Sequence, residues 1–134
     1  MPIRYKLETQ GFSEYLERLA QAGQEIDPVA DEMLVAGGDV LLEGMERRVP
    51  RDTGELADHL ERSEPVQEGN FHSVTVGISP GAPAEVQRYG GAQEYGWSDH
   101  PGQPYIRPAI DEDMRSARAA MRAVLEQFLG GKVA

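Results

Sequence analysis

A chain of 134 residues, 40% apolar and 27% charged, is sized for a single domain, 1–134, with a small buried core. It has no cysteine, which excludes a disulfide framework, a thiolate metal site and a thiol nucleophile, and no apolar run near the ~18 residues that a membrane span needs. The net charge of −10 is carried by Met1–Asn70, with 16 acidic against 7 basic residues, while Phe71–Ala134 holds 7 against 6, so the basic footprint of a duplex-gripping protein is missing.

The first ten residues, MPIRYKLETQ, lack the apolar stretch of a signal peptide. Ile3, Tyr5 and Leu7 alternate with charged residues, the period of a half-exposed strand. Phe12, Tyr15, Leu16 and Leu19 recur at helical spacing up to Gly23 and predict a short N-terminal helix. Asp27-Pro28 reads as an N-cap followed by proline at the first helical position. The apolar stripe from Val29 to Met45 predicts a helix over about 27–48, with Arg47 and Arg48 suiting its negative end and Pro50 stopping it. Gly37-Gly38 within it costs about 2 kcal/mol against alanine and predicts a kink or a close neighbouring backbone.

Asp52 or Thr53 can cap a turn, with Gly54 at positive φ and with Leu56 and Leu60 on one face. Glu64–Gln67 and His72–Ser79 predict two strands around the turn signal Glu68-Gly69-Asn70, and a further strand is expected over Glu85–Tyr89. Pro108 is expected to open a final helix to about residue 129, with Ile110, Met114, Ala117, Met121, Leu125 and Phe128 on one face and Gly130-Gly131 ending it. Asp111-Glu112-Asp113 in its first turn suits the positive end of the dipole. The sum is an α+β domain: a small antiparallel sheet carrying two long helices and a short N-terminal one.

Between the last strand and the last helix, Arg88–Ile110 holds the only Trp, four Gly and three Pro. A long glycine- and aromatic-rich segment of this kind reads as a contact loop. Tyr89, Tyr95, Trp97 and Tyr105 are its candidate anchors, with Pro104 and Pro108 fixing φ on either side. The competing reading is that Trp97 and Tyr105 cover the domain's own core.

Sites for chemistry are weak. Asp52-Thr53-Gly54 matches the core of aspartic protease motifs, but Glu55 follows it and the chain is too helical for that fold. Ser98-Asp99-His100 holds triad residue types in a sequential arrangement that a triad does not use, and reads as a polar loop tip. His59, His72 and His100 have no metal-ligand spacing and read as surface or capping residues. Gly90-Gly91 with Gly96 lacks the lysine of a phosphate loop. No catalytic, metal or cofactor residues are assigned.

Two patches carry a family likeness. Val49-Pro50-Arg51-Asp52-Thr53-Gly54-Glu55-Leu56 follows a long helix. Tyr89 leads through Glu94-Tyr95-Gly96 to Pro104-Tyr105-Ile106-Arg107-Pro108-Ala109-Ile110, just before the last helix. In this order the chain resembles the phage neck or tail-completion family typified by the gene-ten product of phage Hong Kong 97. It departs from that pattern at His59 and Gln103. Within the likeness, Pro50, Asp52, Thr53, Gly54, Leu56 and Pro108 are motif residues of the fold. The resemblance implies a structural protein of the virion, assembled in the host cytoplasm at the head–tail junction. It would form a ring, expected to be hexameric, between connector or stopper and tail-terminator or tail-tube proteins. Double-stranded DNA would pass through the lumen without sequence-specific binding, past a wall that the acidic balance suits. The alternatives are a soluble adaptor module, expected to stay monomeric or dimeric, and an Asp52-dependent protease.

Overall fold

The computed structural model describes residues 3–69 and 71–129. Its elements run β1 (Arg4–Glu8), α1 (Ser13–Gln21), α2 (Ile26–Arg48), α3 (Glu55–Asp58), β2 (Leu60–Arg62), β3 (Val66–Glu68), β4 (Phe71–Ile78), α4 (Ala84–Tyr95) and α5 (Ile106–Phe128). The α+β class, the antiparallel sheet and both long helices are as the periodicity predicts.

β4 is the centre of the sheet. One edge pairs with β1, from Arg4↔Gly77 to Glu8↔Ser73, and β2 and β3 also pair with it, all antiparallel. The β2 register pairs Arg62 with Val76 and the β3 register pairs Val66 with Ser73, so residues 63–65 stand opposite only 74 and 75. That extra residue is a bulge. Ser63 bridges it by accepting the Thr75 N–H on its Oγ at 2.9 Å and donating its own N–H to the Thr75 carbonyl at 2.8 Å. Pro65, which has no N–H to give, fits the interruption.

Val74, Val76 and Ile78 project from β4 into the core, all fully buried. α2 packs against this inner face and α5 lies along α2. Burial of Val29, Met33, Leu34, Leu41 and Met45 makes α2 the central helix. Its glycines admit side chains rather than a neighbouring backbone, one of the two readings given for Gly37-Gly38. A Cβ on Gly37 would lie 2.7 Å from Met121 Cγ, and one on Gly44 would lie 2.1 Å from Asp113 Oδ2. Gly38 faces the other way, toward Arg62 and Val74.

Several local expectations give way to tertiary partners. Asp27 does not cap α2, which starts at Ile26 after an extended Glu25. The Asp27 carboxylate instead lies 3.1 Å from His72 Nε2, and Asp31 lies 2.9 Å from Nδ1. His72 is therefore a buried tie between the sheet and α2, not a surface or capping residue. α5 begins two residues before Pro108, which still falls in the first turn where no N–H is required. Because α5 starts at Ile106, its first turn holds no acidic residue, so the run Asp111-Glu112-Asp113 falls beyond that turn and does not meet the dipole end as expected. Glu112 and Asp113 serve α2 instead. Arg48 donates to Asp113 at 2.7 Å, to Glu112 at 2.5 Å and to the Gly44 carbonyl at 2.8 Å, and Arg47 reaches Asp113 at 3.1 Å. The strand expected over Glu85–Tyr89 is helix, the first half of α4. Gly130-Gly131 and Asn70 lie outside the described residues.

Candidate functional site: an interface built from the Asp-Thr-Gly turn, α4 and the loop after it

After Pro50 the chain turns through Asp52, Thr53 and Gly54. Gly54 takes φ +81°, and the Thr53 hydroxyl accepts the Glu55 N–H at 3.2 Å to start the single turn of α3. His59 Nδ1 lies 2.8 Å from the Glu55 carbonyl, tying off the other end of α3. Asp52 is exposed and Leu56 points inward, buried. This is the plain turn that Asp, Thr and Gly favour.

α4 buries Val86, Gly90, Gln93 and Glu94. At Gly90 the packing leaves no room for a side chain. A Cβ there would lie 2.2 Å from Ile78 Cδ1, 2.9 Å from Leu56 Cδ1 and 2.9 Å from the Tyr105 hydroxyl. Tyr105 donates that hydroxyl to the Gly90 carbonyl at 3.0 Å. The two sequence patches thus meet in one place, with Leu56 from the first and Gly90 and Tyr105 from the second.

The second patch holds a carboxylate clasp. Glu94, with no exposed surface, accepts the backbone N–H groups of Tyr105 at 2.9 Å and Ile106 at 2.7 Å on Oε1, and that of Arg107 at 2.9 Å on Oε2. These are N–H groups that the start of a helix leaves unpaired. Glu94 therefore caps α5 from another helix, where no residue adjoining α5 does so. Arg107 adds Nε to Oε2 at 2.9 Å, bonds the Glu94 carbonyl, and lies 5.0 Å over the Tyr95 ring. Burial alone would push the Glu94 carboxyl up, but the donors of Ile106, Arg107 and Tyr105 outweigh it and hold it below the usual carboxylate range. Burial, then the charge of Glu94, pushes the Tyr105 phenol up.

Between these anchors runs a loop, residues 96–105. Trp97 and His100 exchange both backbone hydrogen bonds, 3.0 and 2.7 Å, and their rings stack at 4.7 Å and 8°. Ser98 at φ +45° turns the tip. Gly96 and Gly102, both at positive φ, let the loop fold back on the end of α4, where a Cβ on Gly102 would lie 2.6 Å from the Gln93 carbonyl. The expected contact loop over 88–110 is therefore shorter, because Arg88–Tyr95 is helix and Ile106 onward is helix again. Gly90 and Gly91, which read as loop glycines, sit in α4, with Gly90 there for packing.

Of the candidate anchors, Trp97 is 45% and Tyr89 37% exposed, Pro104 is exposed and Tyr95 is half-buried beneath Arg107. Tyr105 is corrected from anchor to core: it has no exposed surface. Pro50 and Pro108 are half-buried. Beside Tyr89 a shallow groove of about 200 Å³ is lined by Asp52, Thr53, Glu55, Leu56, Glu85 and Val86. Ser98, Asp99 and His100 form an exposed loop tip. Among the described residues no group of His, Asp and Glu is arranged to hold a metal ion, and no helix is long and apolar enough to cross a membrane. Glu94 was missed as a fold determinant by residue-level reading. Its one signal is its place in the Glu94-Tyr95-Gly96 patch.

A family model described as "Bacteriophage HK97-gp10, putative tail-component" matches residues 10–96. No curated protein and no solved structure matches the chain.

Proposed function

With that model covering well over half of its length, the chain belongs to the bacteriophage HK97-gp10 tail-component family, and from this premise we propose that it is a head–tail junction protein of a long-tailed phage. The family gives it a structural role in the virion. The finer reading is a neck or tail-completion ring, expected to be hexameric, that joins connector or stopper to tail terminator and tail tube around the DNA conduit.

The observation that carries the proposal is the family match over residues 10–96. The arrangement of the site supports it. The patch residues Leu56, Gly90, Glu94 and Tyr105 are buried against one another, while Tyr89 and Trp97 are left at the surface beside them. Such a design spends its special residues on holding a shape, and it offers aromatic side chains to a partner. The Asp52 turn is satisfied by its own backbone contacts, as a scaffold turn requires.

The test is deletion of the gene from the encoding phage or prophage, followed by electron microscopy and mass spectrometry of purified particles. The expected result is the protein in wild-type virions, with filled heads and separate tails in the deletion. Intact, infectious particles without the protein would overturn the proposal.

A further inference from the structure

α5 carries an unpartnered cationic stripe. Arg115, Arg118 and Arg122 are exposed and recur at i, i+3 and i+7, which places them on one helical face. Among the described residues none of the three makes an ion pair or hydrogen bond. In a chain of net charge −10, with abundant carboxylates, that is unexpected. Arg4, Lys6, Arg18, Arg47, Arg48 and Arg62 each reach a carboxylate. Between the arginines, Met114 and Ala119 form a shallow apolar floor.

The matching surface is the groove beside the Asp-Thr-Gly turn. Asp52, Glu55 and Glu85 are exposed there with no cationic partner among the described residues, around the exposed ring of Tyr89. Guanidinium groups pair with carboxylates through two parallel hydrogen bonds and stack on aromatic faces, so three carboxylates and a tyrosine are the chemistry an arginine stripe recognises. Within one molecule the two are set apart along α5. The groove lies against Leu56 and Tyr89, close to where α5 begins, whereas the stripe starts nine residues into that helix, about 14 Å along its axis.

We propose that the Arg115–Arg118–Arg122 stripe of one copy docks into the Asp52–Glu55–Glu85 groove of the next copy. The occupant of each surface is therefore a second copy of this chain. The contact is head-to-tail, and it closes a ring when the rotation per step divides a full turn with no rise. It rests on the ring reading given above and assigns the two faces that the ring would bring together. Duplex DNA as occupant of the stripe is disfavoured by the net charge of the molecule.

The test uses the full chain and two charge-reversal variants: R115E/R118E/R122E and D52K/E55K/E85K. All six positions are exposed, and thermal unfolding checks that each variant folds. Sedimentation and native mass spectrometry should show the wild-type chain assembling at high concentration and low salt, and dissociating as salt screens the contact. Each variant alone should assemble on the order of 100-fold more weakly. Mixed in equal amounts, the two variants should assemble again with alternating composition, because each reversed surface then faces its complement.

Three results would overturn the contact: a wild-type chain that stays monomeric, variants that assemble as the wild type does, or a mixture that fails to recover. Retention of duplex DNA by the wild type and its loss in the arginine variant would overturn it too, by assigning the stripe to nucleic acid. The virion and deletion experiments read the head–tail role separately. A failed contact with the protein still present in particles therefore sinks this inference and leaves that role standing.

Discussion

Replacing Glu94 by alanine should be the most informative single change to the fold. It removes an acceptor of four hydrogen bonds and strands the N–H groups of Tyr105 and Ile106, which are buried. Each stranded donor costs about 1–3 kcal/mol, and that cost is the loss of the cap. Arg107 is exposed, so its N–H groups can turn to water, and its ion pair, with the guanidinium side 57% exposed, contributes little. Desolvation of the buried carboxylate is relieved in the variant and offsets part of the loss. The net is about 3 kcal/mol, or roughly a 10 °C fall in Tm for a domain of this size. Glu94→Gln keeps the shape and one oxygen for Tyr105 and Ile106 but turns an amide toward Arg107, so it should cost about 1–2 kcal/mol. Urea and thermal unfolding measure the order wild type, Gln, Ala, and hydrogen exchange should find the Tyr105 and Ile106 amides deprotected in the alanine variant. An alanine variant within about 1 kcal/mol of wild type, or one more stable than the glutamine variant, would refute the clasp.

The same carboxylate predicts a pH dependence. Its folded pKa lies below the ordinary glutamate value of 4.5, so its stabilisation is complete above that value and is lost as pH falls through the folded pKa. The gap in stability between wild type and Glu94→Gln should therefore narrow only in acid, below about pH 4.5, and a gap that widens there would contradict the assignment. Gly90→Ala should cost about 2 kcal/mol or more because the new methyl overlaps Ile78, while Gly81→Ala, whose nearest neighbour lies 3.8 Å away, should stay within about 0.5 kcal/mol on the same unfolding assay. Tyr105→Phe should lose about 1 kcal/mol with the hydroxyl bond to the Gly90 carbonyl. Trp97→Ala should change stability by less than about 1 kcal/mol, its side chain being 45% exposed, yet lower incorporation into particles measured by quantitative mass spectrometry.

What could be read from the chain was whatever repeats at short range. The stripe from Val29 to Met45, the face from Ala117 to Leu125 and the alternation of Val74, Val76 and Ile78 each declare an element and its buried side. α4 hid because Gly90 and Gly91 each weaken a helix by about 1 kcal/mol on local propensity, and only the close approach of Ile78, Leu56 and Tyr105 makes glycine the fitting residue at position 90. Glu94 was illegible as a cap because its partners lie 11 to 13 residues further on, beyond any local capping pattern. The Asp27 cap failed for a related reason: His72, far away in sequence, claims its carboxylate. At the candidate interface Trp97 and Tyr89 are exposed, but residue type could not separate them from the buried Tyr105, which differs only in where the helices place it.

The loop between α4 and α5 is pinned at its α5 end by Glu94 and at its tip by the cross-bonded Trp97 and His100. A collar of identical subunits closes only when every junction turns through the same angle, and small errors accumulate around the circle. A floppy docking tip would spread those angles and favour spirals or broken arcs. In the proposed ring, a tip already ordered before contact would surrender little entropy on meeting a neighbour.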